Sequence, residues 1–189
     1  MIILLINIML FFSINQSSLE TPQYKLVKKY KKFEIRDYEK MIVAYTNIKE
    51  EYRQSTYTGF RRIANYIFGG NNKNMEIAMT APVLTKLPSK GNIDLHEVSF
   101  VMPRKFDLGS LPNPDLESVK ISERQLGRVA VFTFGGWATE NRTKYFVNRL
   151  IKSLKDEDIG TYGEIMVAQY NSPWVPPPFR KNEIIISIN

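Results

Sequence analysis

The sequence predicts an α+β fold in which duplicated β-β-α-β-β halves form a curved antiparallel sheet or distorted barrel flanked by two helices. Three observations predict it. Short pieces that alternate apolar and polar residues, the period of a half-buried strand, recur from Lys25 to the end of the chain. Two longer stretches, STYTGFRRIANYIFGG and ATENRTKYFVNRLIKSL, carry apolar residues at helical spacing instead. Strand, strand, helix, strand, strand is then written twice, and two halves that each have one sheet face to bury satisfy both by packing together.

The chain opens with MIILLINIMLFFSINQSSLE, apolar from Met1 to Phe12 apart from Asn7. A bilayer-spanning helix needs about 20 apolar residues, so this length suits the core of a signal peptide over residues 1–18, with 22–189 as the folded domain. That reading places the protein in the secretory pathway or outside the cell. No Lys or Arg precedes the run and no A-x-A site follows it, so an uncleaved anchor, or a buried element in a cytoplasmic protein, stays open. The next segment, KLVKKYKK, places Lys25, Lys28, Lys29, Lys31 and Lys32 together. Lysines on an edge strand block unwanted pairing; the competing reading is docking on an anionic membrane surface.

KFEIRDYE and MIVAYTNI read as two strands joined by a tight turn near Asp37 to Lys40. In the helix that follows, Ser55 is placed to cap the first turn and Gly69 and Gly70 to end the last. IAMTAPVLTKL and DLHEVSFVMP are two more strands, separated by the polar turn at Pro88 to Asn92. The Pro- and Asp-rich RKFDLGSLPNPDLES is a connector. VKISERQLGRVAVFTFGG repeats the strand pair, with its turn at Gln125 to Gly127. The second helix has Thr139 as cap and Val147, Leu150, Ile151 and Leu154 as its core stripe. GEIMVAQY and NEIIISIN close the fold, linked by YNSPWVPPPFRK. Proline presets the backbone and donates no ladder bond, so this link is stiff, extended and unpaired. It is either a lid on a pocket or a plug for the core.

Composition excludes several function classes. Hydrophobic residues make up 43% and charged residues 24% of 189, which describes a folded domain rather than a disordered or fibrous chain. Without cysteine there is no disulfide, thiol nucleophile or thiolate metal ligand. The net charge of +7 favours anionic partners, yet no zinc-finger spacing, basic heptad or aromatic RNA-binding pattern occurs, so no nucleic-acid partner is expected. One histidine and no HExxH, Walker or GxSxG pattern remove most catalytic constellations.

FRRIANYIFGGNNKNMEIAMTAPVLT, VSFVMP, FGGWATE and YNSPWVPPPFRKNEI together resemble the SOUL haem-binding family, and the match runs from about Tyr24 to Ile188. The resemblance implies a duplicated β-α-β-β barrel with two flanking helices, kinship with bacterial modules that accept greasy small molecules, and haem or porphyrin binding near the first helix and the proline-rich loop. It also implies that positions matching Tyr57 and Asn65, basic in binding members, belong to the site.

The residues themselves offer a platform. Phe60, Ala64 and Phe68 form one row at i, i+4 and i+8, and Ile63, Tyr66 and Ile67 form another. One stripe suffices to hold a helix on its sheet; the other either covers a flat ligand or widens the core-facing stripe. Arg61 or Arg62 pairs with a propionate in the first case, because a guanidinium matches a carboxylate with two parallel hydrogen bonds, and is solvated in the second. Trp174 and Phe179, held by the prolines, supply the pocket rim. For iron, His96 on the strand face of Val98, Phe100 and Met102 reads as structural, and Met75 and Met79 remain. The expectation is therefore a monomer that carries or buffers haem, porphyrin or another hydrophobic small molecule through mostly apolar contacts, without enzymatic activity. The competing reading is a small-molecule hydrolase using Glu183 at the barrel mouth, near Trp137, Tyr170 and Trp174, with its pKa raised by burial. Glu183 is otherwise structural, accepting loop N–H groups or pairing with Arg180.

Overall fold

The computed structural model describes residues 19–88, 95–172 and 174–189. Its elements are β1 (Tyr24–Lys29), β2 (Glu34–Tyr38), β3 (Met41–Lys49), α1 (Tyr52–Ile67), β4 (Val83–Lys86), β5 (Leu95–Val101), β6 (Lys120–Arg124), β7 (Gly127–Gly135), α2 (Glu140–Asp156), β8 (Thr161–Gln169) and β9 (Lys181–Ile188), with a short 3-10 turn at Pro177–Phe179. After β1, the order β-β-α-β-β occurs twice, as the sequence predicts. The leader over 1–18 and most of the turn at Pro88 to Asn92 lie outside the described residues.

All nine strands join one curled antiparallel sheet in the order β1-β2-β7-β9-β8-β4-β5-β3-β6. Its pairing departs from a reading of local pairs. β2 and β3, only two residues apart in the chain, do not pair: β2 lies against β7, with Arg36 opposite Val129, and β3 lies against β5 and β6. The links at 39–40 and 125–126 are therefore crossings, not hairpin turns. Each half lends its first strand to the other half, which ties the repeats together more firmly than stacking. At the centre β4 meets β8, Val83 opposite Gln169.

The core divides by sheet face. On the outer face α1 buries Ile63, Tyr66 and Ile67 against Ala44, Ile48, Val98 and Phe100. It comes close because Gly59 has no side chain: a Cβ there would sit 2.5 Å from Val98 Cβ. Farther along the same face α2 buries Val147, Leu150 and Leu154 against Ala130, Phe132, Ile184 and Ile186, while Ile151 is 39% exposed and stands outside the predicted stripe. The helix-free face is filled by Val43, Leu84, Val131, Met166 and Ile185, among others. β1 is an edge strand with all six residues exposed, matching its lysine-rich sequence.

Local signals fare unevenly. Thr139 caps α2, accepting from Arg142 N–H at 3.4 Å. α1 starts four residues earlier than a Ser55 cap implies, at Tyr52. Glu51 takes the N-cap position without a side-chain bond, and Ser55, buried in the first turn, donates to Glu50 O at 2.8 Å. Gly69 ends α1 with φ +102°, and Gly70 N–H reaches back to Asn65 O at 2.8 Å, which satisfies a terminal carbonyl. The predicted strand IAMTAPVLTKL shortens to Val83–Lys86, because the preceding residues are held by side chains: Thr80 donates to Val101 O at 2.6 Å.

Candidate functional site

Helical periodicity decides what α1 presents outward. With Ile63, Tyr66 and Ile67 turned to the sheet, Tyr57 and Phe68 are left 58% and 61% exposed, and Phe60 and Ala64 are half-buried between them. The row Phe60, Ala64, Phe68 is thus not absorbed into the core. Phe60 leans on Phe100 with ring centroids 5.3 Å apart, and it shares its flank of the core with Met75, Met79, Val83 and Phe106, all partly buried.

Two arginines on this helix separate in role. Arg62 turns toward the sheet, where its Nη1 lies 3.4 Å from Thr46 Oγ1. Arg61 stays on the outward face, its guanidinium 5.7 Å from the Tyr57 ring centroid. Asn65 is exposed at the border of the platform, but its side chain is packed against Gly70, where a Cβ would come within 2.2 Å of Asn65 Oδ1. Tyr57, Phe60, Arg61, Ala64 and Phe68 make up one continuous face, apolar with a single guanidinium.

Trp174 does not join that face. Its loop is braced on the β7–α2 corner, where Gly136 N–H donates to Pro177 O at 3.1 Å and the Arg180 guanidinium lies 3.7 Å from the Trp137 ring centroid. α1 instead packs on β3 and β5. Trp174 and Phe179 are 92% and 76% exposed, so the loop plugs nothing. A cleft of about 550 Å³ between Trp137, Thr139, Arg142 and the prolines 177–178 lies beside it, and another of about 240 Å³ lies between the Glu20–Gln23 segment and the start of β3. Neither is lined by α1, which presents an open platform rather than a wall of those clefts.

A haem would find partners of a particular kind here. The face supplies rings, a small alanine on which a flat body can rest, and one cation for a propionate. The chain's one histidine is placed elsewhere: His96 is 5% exposed beneath the Tyr52 ring, centroids 5.8 Å apart, on the face it shares with Val98 and Phe100. Among the described residues no three His, Cys, Asp or Glu gather as a metal site.

Glu183 takes a structural place, as one of its two sequence readings has it, but with a different partner. It is fully buried, and its carboxylate accepts from Arg36 on both oxygens, Nη2 to Oε1 at 3.1 Å and Nη1 to Oε2 at 3.2 Å, while the Tyr170 hydroxyl donates to Oε2 at 2.6 Å and Lys181 Nζ lies 3.1 Å from Oε1. Its cation is Arg36, not Arg180. Burial opposes ionisation, but the hydrogen bonds from Tyr170 and Arg36 and the charges of Arg36 and Lys181 outweigh it, holding the carboxyl below its ordinary range. A general acid needs the opposite shift. Burial in turn pushes the Tyr170 and Tyr38 hydroxyls up, Tyr38 to about 12, with the Glu183 charge adding to both. Trp137 packs with Arg180 instead. Sequence reasoning missed Arg36, whose signal was present: in EIRDY it stands between Glu34 and Tyr38 on one strand face, and Tyr38 turns into the core.

Comparison with known proteins gives the family and the fold. The family model described as SOUL heme-binding protein matches residues 19–187. Heme-binding protein 1 of Mus musculus is 32% identical over 126 residues, covering 65% of this chain and 66% of that protein. Heme-binding protein 2 of Homo sapiens is 31% identical over 160 residues, covering 80% and 76%. Among solved structures, the EcmrR C-terminal domain superposes with TM-score 0.62 at 13% identity over 88% of this chain and 98% of that one. A hydrolase from Listeria innocua does so with TM-score 0.60 at 12% identity over 86% and 94%. At such identities these two likenesses concern the fold alone.

Proposed function

This chain belongs to the SOUL heme-binding protein family, and from that membership we propose that it binds haem or another tetrapyrrole on the outward face of α1, as a non-enzymatic carrier or buffer. The observation that carries the reading is the exposure of Tyr57 and Phe68 beside half-buried Phe60 and Ala64, an apolar surface the barrel beneath has no means to cover. The macrocycle stacks on these side chains and Arg61 pairs with a propionate; Asn65, held in the helix cap, contributes an edge contact at most. When bound, haem supplies the visible absorption by which binding is read, and no coordination by His96 is required. Support also comes from the relatives, both named as heme-binding proteins.

Catalysis through Glu183 finds no support in a carboxylate already saturated by Arg36, Tyr170 and Lys181. We place the protein in the secretory pathway on the strength of the apolar run Met1–Phe12, acting as a monomer.

Titration with hemin tests the function. The Soret band is expected to shift and saturate with the parent chain. With Phe68→Asp, whose site is largely solvated and so leaves the fold intact, affinity falls by roughly tenfold or more, the loss of one buried ring. A spectrum unchanged by the parent protein ends the proposal; equal titrations for parent and variant move the site off α1.

A further inference from the structure

Trp174 and Phe179 are the two most exposed large apolar side chains among the described residues. The loop that holds them is braced. Lys181 N–H donates to Asn171 Oδ1 at 2.6 Å, Arg180 Nε–H to Val175 O at 2.8 Å, and Val175 N–H to Ser172 O at 3.1 Å, while the prolines 176–178 fix their own backbone angles. Rings held out into water by a stiff support add nothing to the core; the ordering cost of using them on a partner is already met.

The charges around the loop indicate the kind of partner. Arg142 is exposed at its base, next to Lys181, whose ammonium is held by Glu183. β2 pairs with β7 with Glu34 opposite Val131, so the β1–β2 turn lies toward the same end of the sheet as Gly135 and Lys181 and adds Lys31 and Lys32, both exposed. Neighbouring acids are engaged: Glu34 and Glu183 with Arg36, Glu140 with Lys144. Exposed aromatic tips within a cationic surround match the layering of an anionic bilayer, in which tryptophan favours the zone between headgroup and chain and lysines meet the lipid charge.

We propose that this loop docks the protein on anionic phospholipid, with Trp174 and Phe179 entering the interfacial zone and Arg142, Lys31 and Lys32 meeting the headgroups. This stands apart from the tetrapyrrole reading, because its side chains are not those of the α1 platform.

The test uses the full chain and its Trp174→Ala/Phe179→Ala variant on phosphatidylcholine vesicles with and without phosphatidylserine. Both proteins carry the apolar run Met1–Phe12, so the difference between them reports the loop. The parent is expected to sediment with the anionic vesicles, and the variant to partition more weakly by about tenfold per ring. In a Trp137→Phe background, Trp174 is the one remaining tryptophan, and its emission is expected to move to the blue and be quenched by brominated lipid. Equal sedimentation of parent and variant, Trp174 emission that vesicles do not move, or equal binding to neutral and anionic vesicles each overturns the proposal. Both substituted side chains are largely solvated, so an unchanged melting curve confirms that the variant reports binding.

Discussion

Replacing Arg36 by Met leaves Glu183 as a buried carboxylate without its bidentate partner. Arg36 is 4% exposed and Glu183 wholly enclosed, so water does not take over the lost contacts. Removing one member of a buried pair costs about 3–5 kcal/mol; Lys181 Nζ, still 3.1 Å from Oε1, places this site toward the lower end. At about 2–4 °C per kcal/mol for a domain of this size, the melting temperature is expected to fall by roughly 10 °C at pH 7. The pH dependence gives the sharper signature. In the parent, the carboxyl titrates below its unfolded value, so its stabilisation is present at neutral pH and is lost as pH falls through the folded value. In Arg36→Met burial dominates, the carboxyl titrates above the unfolded value, and protonation relieves the strain. The gap between parent and variant is therefore widest near neutrality and narrows on acidification. Adding Glu183→Gln to Arg36→Met recovers most of the loss. Thermal melts followed by circular dichroism between pH 4 and 7 read all of this. A gap that does not change with pH, or a variant melting within ~2 °C of the parent at pH 7, refutes the reasoning.

Two further substitutions probe the platform. Gly59→Ala gains up to about 1 kcal/mol of helix propensity, yet its Cβ would lie 2.5 Å from Val98 Cβ and 2.9 Å from Ile48 Cδ1; a net loss of about 1–3 kcal/mol is expected, with faster amide exchange in α1 than in α2, and a net gain in a denaturant titration contradicts the close approach. Arg61→Glu is expected to weaken hemin binding by roughly tenfold, the size of a lost charge-assisted bond, while the iron complex of octaethylporphyrin, which lacks carboxylates, binds parent and variant alike; equal losses for both ligands would show that Arg61 acts by packing.

How much of this was legible beforehand depends on the range of each cause. α2 was readable almost to the residue, because Thr139 caps it locally and Val147, Leu150 and Leu154 share one stripe. α1 was readable at its glycine end and misread at its start, where a buried Ser55 bonds backward to Glu50 instead of capping. The platform was half legible: periodicity separated two rows on α1, but only packing showed that Ile63, Tyr66 and Ile67 turn inward and Phe68 out. Asn65 carried the same polar label whether it met a ligand or a helix cap, and Trp174 the same apolar label whether it filled a core or stood in water.

By itself the sequence determined the elements, their order, the internal repeat and the family, since each follows from residues near one another in the chain or from their succession. Tertiary structure decided the pairing. That β2 crosses to β7 and β3 to β6, and that Arg36 thereby meets Glu183 from 147 positions away, rests on which faces come together when the halves interlock. Contacts between distant segments are selected by shared burial and charge neutralisation in a low-dielectric interior, and both of those forces exist only once the chain is folded.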